Sequence, residues 1–152
     1  MEPEEIAQFN DIVDAIEDGT LMDNYDAFIR TVLTFIKDKV VLLATAPAPI
    51  ASLVECGFGF LDGAITAKAL ESAFRNYGDA TGYWDRSQRD DRDARIIRVV
   101  FFLSDTDFLT NVTPDDQQDS HIAHFVNTLY EIDGGLGLCE KFLEYLERGS
   151  IL

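Results

Sequence analysis

Basic residues are scarce in this chain, and they are missing altogether from two long stretches. Only 12 lysines and arginines stand against 28 acids, for a net charge of −16. Residues 1–29 carry nine acids and no base, and residues 99–133 carry seven acids and no base. Such a balance argues against nucleic acids and anionic membranes as direct partners, because phosphate binding needs Lys or Arg to neutralise it. Cysteine is scarce too: Cys56 and Cys139 lie far apart, which rules out a disulfide-dense scaffold. The N-terminus MEPEEIAQF lacks the basic start and apolar run of an export signal, so free thiols in a cytoplasmic protein are expected. The longest apolar-rich run, 40–54, is broken by Thr45, Pro47, Pro49 and Ser52, too short and interrupted for a membrane span. Catalytic signatures are missing as well. There is no Gly-x-Ser-x-Gly and no phosphate-cradling Gly-Lys-Ser/Thr loop, and neither cysteine has a basic or histidine neighbour. The expectation is a non-enzyme without a cofactor.

What is present is apolar and helical in period. With 152 residues, 47% of them apolar and 11 of them Phe, the chain can fill the core of one domain, 1–152. Pro3 suits a helix start, and Ile6, Phe9, Ile12, Val13 and Ile16 follow at helical spacing until Gly19. Asp23 is a candidate cap for a second helix. Its stripe of Tyr25, Phe28, Ile29, Val32, Leu33, Ile36, Val40 and Leu43 should run to about Thr45, where Pro47 and Pro49 stop it. A short helix is expected over 49–60, another from Ile65 to Gly78, and a third from a capping box at Asp85 and Gln88 to about Leu103. A strand over 96–103 is the rival there, given the β-branched and aromatic residues. Ser104 with Asp107 suggests a short helix to Val112. Thr113-Pro114-Asp115-Asp116 is a start signal for a helix burying Ile122, Phe125, Val126 and Leu129, and Leu138, Phe142, Leu143 and Leu146 mark a last helix before Gly149. The predicted architecture is an all-α, single-domain bundle of six to eight helices.

Several constellations look chemical and have plainer readings. Asp62-Gly63 resembles the centre of an EF-hand loop, but the first and third ligand positions would be Phe58 and Phe60, and the bidentate acid position Ala69. A turn is therefore expected, not a calcium site. His121 and His124, the only histidines, are three apart on a helix and could share a metal with nearby acids. The stripe centred on Phe125 puts His124 on the wet face and His121 at its margin, so two solvated imidazoles are expected. Arg86, Arg89, Arg92, Arg95 and Arg98 recur every third residue, but at 100° per residue they wind around the helix and do not form a phosphate-binding line. Interleaved acids should pair with them, and one arginine is a candidate to anchor an acidic stretch. Trp84, beside Tyr83 in a Gly-containing loop, is a candidate interface anchor or a core residue.

The two base-free stretches carry the functional expectation. Like charges repel in the folded state, and a cationic partner would relieve that cost. The candidate binding residues are Asp14, Glu17, Asp18, Trp84, Asp105, Asp107, Asp115, Asp116 and Asp119. Small size, high acidity and a helical fold resemble the general type of bacterial immunity proteins that neutralise cationic nuclease toxins. The resemblance is one of class, carried by no family motif, and it implies a basic protein partner blocked by an acidic face. A nucleic-acid mimic, with carboxylates in place of phosphates, is a neighbouring idea. The alternatives are a metal-dependent hydrolase or ligand-binding bundle using His121 and His124, or a structural subunit whose apolar 96–103 segment is an oligomer contact.

Overall fold

Helical periodicity is realised along the whole described chain. The computed structural model describes residues 1–19, 23–83, 91–111 and 115–151, the side chains of 115–120 and 149–151 excepted. Among them stand eight α-helices and no strand: α1 (Pro3–Glu17), α2 (Tyr25–Phe35), α3 (Pro47–Leu61), α4 (Ala67–Thr81), α5 (Arg92–Phe101), α6 (Thr106–Thr110), α7 (Asp115–Asp133) and α8 (Gly137–Ile151). The bundle packs α2 on α8, α5 on α7, α7 on α8, α3 on α4, and α1 across α7 and α8. No helix among the described residues is long and apolar enough to cross a membrane.

The second helix shows how the core sets local geometry. The cap is Asn24, not Asp23: its side-chain oxygen accepts from Ala27 N–H at 3.3 Å. After Phe35 the chain widens into a π-turn over Ile36–Val40 and then tightens into a 3₁₀ turn over Val41–Leu43. The i→i+5 turn keeps Phe35, Ile36, Val40 and Val41 all on the core side, where none is more than 2% exposed. Pro47, expected only as a breaker, also opens α3 at its first turn, where the missing N–H costs nothing.

Other boundaries differ from the sequence pattern for identifiable reasons. Gly78 does not stop α4. It is buried in helical geometry, and the helix ends at Gly82, whose φ of +69° is the left-handed conformation an L side chain resists. The capping box at Asp85 and Gln88 lies outside the described residues, whereas Asp91 caps α5 by accepting from Ala94 N–H at 2.8 Å. The 96–103 segment is helical, with Ile96, Ile97, Val99, Val100 and Leu103 buried inside the chain's own core. Within it, Phe101 and Phe102 stay half-buried. Thr113 and Pro114 lie outside the described residues, and α7 begins directly after them. The last helix runs past Gly149 to Ile151. Ile6 is 45% exposed, so apolar burial along α1 starts only at Phe9.

Asp62-Gly63 forms the expected turn, with Gly63 at φ +76°. Asp62 serves Arg30, whose guanidinium reaches its carboxylate at 2.7 Å and that of Asp26 at 2.9 Å. Both cysteines are free thiols. Cys139 is fully buried and donates to the Val126 carbonyl, and burial pushes its thiol up to about 12.

Two outcomes test this core. Phe142, fully buried between Phe35 and Phe125 at ring-centre distances of 5.2 and 5.3 Å, should cost about 3–5 kcal/mol when replaced by Ala, read as a lower urea midpoint. Iodoacetamide should label half-buried Cys56 in the native protein and reach Cys139 only on unfolding. Equal labelling of both thiols in the folded state would contradict the packing.

Candidate functional site

Two sets of residues qualify, one on the surface and one in a cavity. On the surface, α1 ends in Asp14, Glu17 and Asp18, with Asp14 and Asp18 exposed and Glu17 half-buried. No base stands in that last turn. Acids at a helix C-terminus face the negative end of the macrodipole and are disfavoured by about 0.3–1 kcal/mol each. Asp105 and Asp107 sit differently. The Asp105 carboxylate accepts from Asp107 N–H at 2.9 Å and caps α6, and Asp107 lies in that helix's first turn, so both have a structural reason to be acidic. Asp115, Asp116 and Asp119 belong to the start of α7, with side chains outside the described set, and Trp84 lies outside the described residues.

The fold brings the two base-free stretches together at two seams. At the first, Tyr130 on α7 donates its hydroxyl to Glu5 of α1 at 3.0 Å. At the second, Tyr25 at the start of α2 donates to the Phe108 carbonyl of α6. Burial, then the nearby charge of Asp105, raises the Tyr25 hydroxyl well above its ordinary ionisation range. Part of the acid is neutralised internally. Arg30 holds Asp26, and Arg92 reaches from α5 to Asp133 at 2.9 Å, the anchoring of an acidic stretch by one of the arginines. These pairs are half exposed, so each stabilises by no more than about 1 kcal/mol.

The cavity is formed where α5, α6 and α7 meet the end of α4. Its volume is about 420 Å³, within the range of small-ligand pockets. From α7 come His121, His124, Thr128 and Glu131, and from α5 and the 3₁₀ turn behind it Arg98, Phe101 and Phe102. Tyr83, Asp105 and Phe108 complete the wall. Tyr83 stacks on Phe101 with ring centres 4.3 Å apart, and Phe102 stands edge-on to Phe108 at 5.6 Å. Both imidazoles pack against this aromatic floor, His124 at 5.3 Å from Phe102 and His121 at 6.5 Å from Phe108. Their exposure follows their helical phase, His124 on the wet face and His121 half-buried at its margin, and both also line the cavity wall. The Thr128 hydroxyl is bound to the His124 carbonyl at 2.8 Å, and Glu131 accepts from Asn127 at 3.1 Å.

Among the described residues no group of three or more His, Cys, Asp or Glu is arranged to hold a metal ion. The arrangement offers binding surfaces: aromatic faces, one guanidinium and two exposed carboxylates. Sequence reasoning singled out His121, His124 and Asp105 but missed Tyr83, Arg98, Phe101, Phe102, Phe108, Thr128 and Glu131 as cavity residues. A signal was there. On α7, positions 121, 124, 128 and 131 fall within an 80° arc at 100° per residue, next to the apolar stripe. Compared with known proteins, the chain matches no family model, no curated protein and no solved structure.

Burial raises the ionisation of the Tyr83 hydroxyl, and the positive charge of Arg98 opposes that rise. Arg98→Gln should therefore push Tyr83 ionisation to still higher pH. Tyrosinate absorbance, taken as the difference from a Tyr83→Phe protein, reads the shift. A downward shift would mean that Arg98 does not face this hydroxyl.

Proposed function

We propose that the protein is a non-enzymatic binding protein, acting in the cytoplasm, whose acidic surface docks on and blocks a basic protein such as a toxin or nuclease. The observation that carries this reading is the end of α1. Asp14 and Asp18 stand exposed at the negative pole of the helix with no base in its last turn, an arrangement that costs the isolated fold stability. Asp105, Asp107 and Asp133 are accounted for by a cap, a first-turn position and an ion pair, whereas Asp14 and Asp18 lie at the wrong end of their helix for a favourable dipole. A cationic surface laid against them offsets their repulsion, speeds encounter and discriminates against acidic partners. Contact between the two base-free stretches at the Glu5–Tyr130 and Tyr25–Phe108 seams supports the reading further, because it gathers like charge on neighbouring elements.

The test couples stability to association. Asp14→Asn with Asp18→Asn should stabilise the isolated protein by about 0.5–2 kcal/mol through relief of the dipole. The same variant should slow association with the basic protein recovered by co-purification by about threefold or more, and flatten its salt dependence. A recovered partner that is itself acidic, or an association rate untouched by the double substitution, would overturn the proposal.

A further inference from the structure

We propose that the cavity between α5, α6 and α7 is a socket for one guanidinium side chain, an arginine presented by the basic partner. The walls supply what such a group needs. Phe101, Phe102, Phe108 and Tyr83 offer ring surfaces. Guanidinium is planar and weakly hydrated, and it stacks on aromatic faces more readily than an ammonium does. Asp105 and Glu131, both exposed among the lining residues, provide carboxylates that accept charge-assisted hydrogen bonds once the cation has entered.

Charge decides between a cation and an anion. Among the described lining residues, Arg98 is the only fixed positive group, against the carboxylates of Asp105 and Glu131. Eight of the ten described lining residues come from the stretch 99–133, which contains no Lys or Arg, in a chain of net charge −16. An anion would enter against that field, whereas a cation is drawn in by it. A volume of about 420 Å³ takes one long side chain with some water and is small for a folded segment. A binding surface also needs an anchor: steering acids set the encounter rate, and most affinity comes from a few side chains seated in pockets. The source of the arginine rests on the docking function proposed above, but the chemistry of the socket does not.

Agmatine, arginine without its carboxylate, is the probe, with benzoate as the anionic control. Agmatine should shift the NMR signals of Phe102, Phe108, His121 and His124 in a saturable way with millimolar affinity. Asp105→Asn with Glu131→Gln should weaken it about fivefold or more. Asn retains the cap on α6, so the loss would not come from unfolding. Arg98→Gln should tighten agmatine about twofold, since it removes the like charge. Absence of saturable shifts, or benzoate binding that is lost in Arg98→Gln, would overturn the socket. The two proposals fail separately. Salt-dependent association with a basic protein, combined with no agmatine shifts, sinks the socket and leaves the acidic docking surface standing. Agmatine binding with an association rate indifferent to the α1 acids does the reverse.

Discussion

The structure depends on a connected run of aromatic rings through the middle of the bundle. Phe35 on α2 packs against Phe142 on α8, Phe142 against Phe125 on α7, and Phe125 against both Phe102 and Phe108. Each neighbouring pair of ring centres lies between 5.2 and 5.9 Å apart, in tilted or edge-on arrangements favoured by the ring quadrupole. Four helices and the α5–α6 turn are thereby keyed to one another. The π-turn after Phe35 follows from this constraint, because it keeps Phe35 and Val40 on the same side of the chain.

A core of this kind tolerates a surface that works against it. The net charge of −16 is a self-repulsive load, and among the described residues ion pairs that relieve it include Asp26, Asp62, Glu55 and Asp133 with Arg30, Lys37 and Arg92. These pairs are exposed and individually weak, so the acids are held together by apolar packing beneath them and not by counter-ions above. The seams make the same point. Tyr130 and Tyr25 each present a ring to the core and a hydroxyl to the boundary, joining one acid-rich stretch to the other without introducing a positive charge.

The fold was largely legible in the residues, because a 3.6-residue apolar period survives along the described chain. Ile12, Val13 and Ile16, the Phe28–Ile36 stripe, Ile122 to Leu129 and Phe142 with Leu146 are all buried as their spacing requires. Boundaries were less legible. Glycine does not by itself say whether it ends a helix, as Gly78 and Gly82 show, and Pro47 both closes one element and opens the next. The cavity was hardest to read, because its two halves are 16 to 33 residues apart in sequence. Arg98, Phe101, Phe102 and Asp105 have helical spacing of their own, as do His121, His124, Thr128 and Glu131. Each row reads as part of its own helix until the packing of α5 on α7 sets the two face to face.

That juxtaposition makes the cavity and the core one object. Phe102 and Phe108 line the cavity with one part of their rings and meet Phe125 with another, so the cavity floor is also the outer surface of the aromatic run. The shape of the site is then set by packing at native density, which resists small adjustments, and not by the loops around its mouth. Any group that occupies the cavity in the folded state and not in the unfolded one must stabilise the whole bundle by mass action. The converse holds as well. A substitution deep in the run at Phe142 or Phe125 reaches the cavity through two ring contacts at most, so in this protein stability and recognition draw on the same side chains.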